Sequence, residues 1–217
     1  AALARALVPD EAAQGLRIAA AGAGRVNLYA TGPGVVLIDA GAVAALNAID
    51  PMITLATVPP FHRVEARTMV ATIKIIAYGV AQTHLDAACA AAGEALSVSA
   101  PRYGTATLIE TVVGDATPTG KGRAALAGRL DRLGLTLTPP VHVAHRADAL
   151  APAIAAAPGE VVFILTASAT SDPHDVAPEG LREAGGTVTA FGMPVDPGNL
   201  LFFGTFGVRP VIGLPGC

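Results

Sequence analysis

The sequence predicts an α/β protein, with a smaller mixed α+β domain over residues 1–100 and a mostly parallel, helix-flanked sheet over residues 101–217. One observation behind this is a change of rhythm. From Thr105 onward short apolar runs alternate with helical stretches, the pattern of buried strands joined by crossover helices. Another is the break between the halves, where Pro101 interrupts a polar stretch, residues 97–103, that reads as a linker. The third is composition. Of 217 residues, 52% are hydrophobic and 14% charged, which supplies a packed core and leaves too few charges for a disordered chain.

Before the linker the expected elements are short. Residues 9–21 read as an amphipathic helix capped by Asp10, with Ala12, Ala13, Leu16 and Ile18 as its apolar residues. Strands are expected over residues 26–29, 35–38, 53–58 and 69–76, where apolar residues alternate or run together. A helix over 42–49 interrupts them, and residues 81–96, rich in Ala and Leu, form another.

After the linker come a strand over 105–111, a helix over 121–133 closed by Gly134, a strand over 135–143 and a helix over 147–157. Val161, Val162, Phe163, Ile164 and Leu165 then supply the β-branched and aromatic filling of a buried parallel strand. A helix around 178–184, a strand around 187–191 and an apolar run over 210–214 complete the pattern. Ligands of such sheets gather beyond the carboxyl ends of the strands, so the loops after Thr111, Thr166 and Leu214 are expected to converge on one site.

Charge and motif content exclude several functions. A formal charge of -3 without a run of Lys or Arg argues against nucleic acid as a partner. Arg5, Asp10, Glu11 and Arg17 break the Ala-rich opening, which is neither a membrane span nor the core of a signal peptide. Cys89 and Cys217 make no disulfide framework, and a reducing, cytoplasmic setting is the simplest expectation. His62, His142 and His145 lack metal-ligand spacing, so no zinc site is expected. Gly22 and Gly24 lack the third glycine and the preceding strand of a dinucleotide fingerprint.

The loop after residue 165 carries the most functional information. Ala167, Ser168, Ala169, Thr170 and Ser171 expose backbone N–H groups and hydroxyls with little bulk, and Pro178 and Glu179 suit the first turn of the helix that follows. Such a loop makes a seat for an anion.

Its residues Thr166-Ala167-Ser168-Ala169-Thr170, continued by Asp175-Val176-Ala177-Pro178-Glu179, resemble the Thr-Gly-Gly-Thr-Gly loop and Asp-Val-Thr-Pro-Glu segment of molybdopterin-binding domains. That family includes molybdopterin adenylyltransferase and molybdopterin molybdotransferase. It is also similar to the competence-damage-inducible domain often fused to a nicotinamide-nucleotide deamidase. Pro197-Gly198 resembles the molybdotransferase Pro-Gly-Lys-Pro segment, and Gly213-Leu214-Pro215-Gly216 its Gly-Leu-Pro-Gly-Asn-Pro. The three motifs fall in family order and span residues 105–217, about half the chain.

The resemblance implies a three-layer α/β/α fold for this half. It implies molybdopterin as cofactor and a pterin phosphate as ligand, held by Thr111, Lys121, Thr166, Ala167, Ser168, Ala169, Thr170, Ser171, Pro197, Gly198, Leu214, Pro215 and Gly216. Asp175 is the residue it places in the catalytic position, and Mg²⁺ is the metal that transfer on such a ligand employs. It further implies a homo-oligomer, and in related bacterial proteins a fused nucleotidyltransferase domain similar to molybdenum cofactor cytidylyltransferase. The chain departs from the pattern at Ala167, Ser168 and Thr170, which stand at glycine positions, and at Lys121, near which an acid was expected. Three readings stay open: a molybdopterin-binding protein, an active nucleotidyl- or molybdotransferase, and a non-catalytic docking or oligomerisation module for a fused transferase.

Overall fold

The structure, a computed structural model, describes all 217 residues except Ala23, Pro197, Gly216 and Cys217. The chain forms two compact units, Ala1–Pro101 and Arg102–Cys217, and the fold class is α/β. Among the described residues no helix is long and apolar enough to cross a membrane.

In the first unit α1 (Ala2–Leu7) is followed by β1 (Leu16–Ala20), β2 (Arg25–Ala30), β3 (Gly34–Ile38), α2 (Ala40–Asn47) and β4 (Ile53–Thr57). Then come β5 (Arg63–Val64), β6 (Met69–Ile75), α3 (Gln82–Ala92) and β7 (Leu96–Ser99). The strands make two antiparallel sheets, ordered β1-β2-β6-β4 and β5-β3-β7. One core serves both, with Leu7, Leu16, Leu28, Leu46, Ile53 and Leu96 fully buried. Such side chains contribute about 1.5–3 kcal/mol each when removed from water.

Two expectations fail in this unit. Residues 9–21 are not a helix. Asp10 does act as a cap, its Oδ1 accepting the N–H groups of Ala12 and Ala13 at 3.0 and 2.9 Å, but the turn stops at Gly15, whose φ is 65°. Leu16 and Ile18 then enter β1 and pair with Ala30 and Leu28. The second failure is the start of the linker expected over residues 97–103. Leu96 and Val98 alternate inward with Ser97 and Ser99 half-buried, and residues 96–99 are β7, paired with β3, while the units divide after Pro101, inside the expected stretch. The preceding helix ends at Ala92, short of the expected 96, because Gly93 follows with φ 46°.

The second unit contains β8 (Thr105–Val112), α4 (Lys121–Asp131), β9 (Thr136–Leu137), β10 (Val141–Ala144), α5 (Ala147–Ala156) and β11 (Val161–Leu165). It ends with α6 (Val176–Glu183), β12 (Thr187–Phe191), β13 (Phe202–Phe206) and β14 (Arg209–Leu214). A seven-stranded sheet runs β10-β8-β11-β14-β13-β12, with β9 also beside β8. Strands β10, β8, β11 and β14 are parallel, and β13 is antiparallel to both its neighbours.

Alternation along the central strands makes three layers. Ala106, Leu108, Val161 and Phe163 pack against Leu126 and Leu130 of α4 on one face. Ile109, Val162 and Ile164 pack against Leu150 and Ile154 of α5 and Leu181 of α6 on the other. The expected strand over 135–143 is two strands, because Pro139 and Pro140 have no N–H for the ladder. Strand β13 was not expected at all. Its residues alternate buried Phe202 and Gly204 with exposed Phe203 and Thr205, inside a segment read only for its Pro-Gly motif.

The start of the central strand pair is locked by polar groups. Glu160 Oε2 accepts the N–H groups of Gly104 and Thr105 at 2.7 and 2.9 Å, and Gly159 N–H donates to the buried Thr107 hydroxyl at 2.9 Å. The hydrogen bonds from Gly104 and then Thr105 hold the Glu160 carboxyl below its ordinary value of 4.5. A lowered folded-state value means stabilisation that is complete above the unfolded value and is lost as pH falls through the folded one. Denaturation of the Glu160→Gln variant across an acid pH series therefore shows a stability gap from the parent at neutral pH that shrinks below pH 4.5.

Glycine substitutions separate packing from propensity. A Cβ at Gly213 meets the ring of the fully buried Phe202, whereas Gly128, inside α4, has nothing within 4 Å of that position. Gly213→Ala is expected to lose about 1–3 kcal/mol by overpacking. Gly128→Ala is expected to gain about 0.5–1 kcal/mol from helix propensity. Urea unfolding midpoints of the two variants check both signs.

Candidate functional site

The carboxyl ends of β8, β11 and β14 lie side by side. Leu165 is in register with Glu110 of β8 and Leu214 of β14, so Thr111, near the end of β8, is a neighbour of Thr166 and Pro215, where the chain leaves β11 and β14. The link between the end of β8 and the loop after β11 is direct. Ala167 N–H donates to the Thr111 hydroxyl at 3.0 Å, and Thr111 is buried.

The loop after β11 is shaped by its own side chains. Buried Thr166 donates through Oγ1 to the Ser168 carbonyl at 2.6 Å, and its hydroxyl lies 3.2 Å from that of buried Thr170. Asp175 stands at the N-cap of α6 but makes no side-chain bond to that helix. Its Oδ2 turns back to accept the N–H groups of Ser171 and Asp172 at 2.7 and 3.0 Å, with Ser171 Oγ at 3.4 Å. The aspartate therefore ties the loop to the start of the helix. Ala167, Ser168 and Thr170, which replace glycines of the resembling motif, all avoid positive φ, so this backbone path requires none of the freedom that glycine gives.

Lys121 opens α4 behind Gly120, whose φ of 74° lets the chain turn into the helix without a side-chain cap. The Lys121 side chain is exposed, and Gly122, next along, packs on Leu165 so closely that a Cβ has no room. That contact brings the head of α4 over the end of β11. Gly198 belongs to the connection between β12 and β13 at the same edge of the sheet, with φ 117°. The hydrogen bonds there are internal: Gly192 to Leu201 at 2.9 Å, Met193 to Asn199 at 3.0 Å and Leu201 to Gly198 at 3.1 Å. Leu214 and Pro215 are half-buried, and Pro197 and Gly216 lie outside the described residues.

Two residues of this region were given no role at this site by the sequence, His145 having been weighed only as a metal ligand and Glu110 not at all. His145 follows β10, its N–H held by the Val112 carbonyl at 2.8 Å, and its ring spans the Thr111 hydroxyl at 2.8 Å and the Ser168 hydroxyl at 3.0 Å. Glu110 is buried on the α4 face, its Oε2 3.3 Å from Nε2 of His142, the residue opposite it on β10. His142 and His145 thus serve opposite faces of one strand end. The only signal for His145 was its place at the end of a parallel strand, where its spacing from His142 directed attention to metals alone.

Beside His145, the hydrogen bond from Arg146 holds the Asp148 carboxyl below its ordinary value, at 2.9 Å for each of two contacts. Among the described residues no three His, Cys, Asp or Glu side chains gather as metal ligands. Two cavities, of about 300 and 280 Å³, lie elsewhere, one beside Asp39 and Phe61 in the first unit, the other beside Tyr103 and Glu160 at the amino edge of the large sheet. Both are mostly apolar at their walls, while the carboxyl-edge loops offer hydroxyls, backbone N–H groups and an imidazole. That donor set suits anionic oxygens.

The weight Asp175 carries is local and measurable. Asp175→Asn turns a charged acceptor into a neutral one, and amide hydrogen exchange at Ser171 and Asp172 is expected to speed up about ten-fold, with the amides of β11 unchanged.

No protein family's model matches the chain, and no curated protein matches it. Among solved structures it is similar to the molybdopterin biosynthesis MoeA protein from Pyrococcus horikosii, at 16% identity and a TM-score of 0.40, over 97% of this chain and 73% of that one.

Proposed function

We propose that the second unit binds molybdopterin, or the molybdenum cofactor built on it, at the carboxyl edge of its sheet and serves in molybdenum cofactor biosynthesis. The observation that supports this reading is the bond between Ala167 N–H and buried Thr111, which joins the motif-bearing loop to the end of β8. The Ser168 hydroxyl and the amides of residues 168–170 act as donors to the pterin's phosphate, while Thr111, Thr166, Thr170 and Ser171 hold the loop in place behind them. Lys121 supplies positive charge from the head of α4, and Leu214 and Pro215 form an apolar side for the ring system. Asp175 serves by shaping the loop, since its Oδ2 is already engaged by Ser171 and Asp172.

A second reading, a docking module for a fused transferase, is favoured by a different observation. Thr166, Ser168, Thr170 and Asp175 close the loop on itself, as a site that no longer receives ligand also does. Equilibrium binding of molybdopterin separates the two. On the first reading the purified protein binds it, and Asp175→Ala weakens binding about ten-fold through loss of a charged hydrogen-bond acceptor. Negligible affinity in both proteins rejects binding and leaves the docking role.

A further inference from the structure

The imidazole of His145 sits between two hydroxyls, and hydrogen-bond accounting decides which way its protons point. Thr111 Oγ1 already accepts Ala167 N–H, and Thr111 is 4% exposed. Among the described residues the acceptor within reach of the Thr111 proton is Nδ1 of His145, at 2.8 Å. If Nδ1 carried the proton, the buried Thr111 O–H would have no acceptor, at a cost of about 1–3 kcal/mol. Nδ1 is therefore the acceptor, and the ring's single proton lies on Nε2.

Nε2–H then donates to Ser168 Oγ at 3.0 Å, so the Ser168 proton cannot point at the ring and is left for another acceptor. The chain of donors has one direction throughout: Ala167 N–H to Thr111, Thr111 O–H to His145, His145 N–H to Ser168. Each donor polarises the next, so the terminal hydroxyl is a stronger donor than an isolated serine.

We propose that His145 is a positioning residue that fixes the Ser168 hydroxyl as a donor to an anionic oxygen of the ligand, a phosphate or a comparable oxyanion. This rests on the reading of the same loops as an anion seat. It makes Ser168 a binding donor and not a nucleophile, because a nucleophilic serine has to give its proton to Nε2, and Nε2 already bears one. The charged groups on the elements that meet at the ring do not compete for it. Arg146 pairs with Asp148, Asp175 holds loop amides, Asp172 accepts the His174 N–H and Glu110 faces His142.

The test uses the full chain at mildly alkaline pH, with sulfate as probe because it keeps one charge state. Nitrogen NMR of the His145 ring, without any ligand, is expected to show a bare Nδ1 and a protonated Nε2. Sulfate is expected to shift the amides of residues 167–171, with Ser168→Ala about fifteen-fold weaker, the low end for one hydrogen bond to a charged group, and His145→Ala about five-fold weaker, because the hydroxyl remains but is no longer oriented. His145→Gln, which restores an N–H toward Ser168, is expected to recover affinity to within about two-fold. In a Ser168→Ala background the His145→Ala change is expected to have no further effect, as coupling through that hydroxyl demands. A proton on Nδ1, or a His145→Ala loss that persists in full without Ser168, overturns the proposal and leaves the anion seat standing. No sulfate shift at the loop amides overturns the seat and the proposal together.

Discussion

The parallel pairing of β8 with β11 is the constraint on which the second unit depends. Its register sets Leu165 beside Glu110 and so brings Thr111 and Thr166 to the same edge. At the other end Glu160 and the Thr107 hydroxyl hold the two strands from slipping. A shift of one residue would exchange the two faces and turn Phe163 away from α4 and Val162 away from α5. The polar lock and the apolar alternation therefore specify one register between them, and the position of the loops follows from it.

Where periodicity and chain direction sufficed, the sequence was readable. The apolar run over residues 161–165, the helix that opens at Lys121 and the strand over 105–111 lie where their patterns put them, give or take a residue. Elsewhere local signals were overruled from a distance. Asp10 is a true cap, yet Gly15 ends its turn, and adding a Cβ there would meet Val98 of β7, a residue far along the chain. Strand β7 is itself held by β3, and β13 is antiparallel between β12 and β14, pairings that no single window of sequence contains.

The candidate site shows the same division. The loop after β11 was visible because small residues and an Asp-Val-Ala-Pro-Glu ending are consecutive. His145 was not, since its partners lie 34 residues before it and 23 residues after it. The glycine replacements at Ala167, Ser168 and Thr170 looked like losses of backbone freedom, but the loop adopts a path that needs no positive φ and uses the added Thr170 hydroxyl as a strut to Thr166. Side-chain hydrogen bonds here do work that glycine conformations do elsewhere, at the cost of a more closed surface.

Thr111, His145 and Ser168 come from three separate strand–helix junctions, joined by two contacts of 2.8 and 3.0 Å. Local opening at any one of these junctions dismantles the set, so the arrangement exists only in the fully folded unit. Any molecule held across all three consequently has no counterpart in the unfolded chain. Its occupancy adds to folding stability as RT ln(1 + [L]/Kd), about 2.7 kcal/mol at a concentration one hundred times Kd. The unit's thermal midpoint thereby becomes a reporter of whatever occupies that edge.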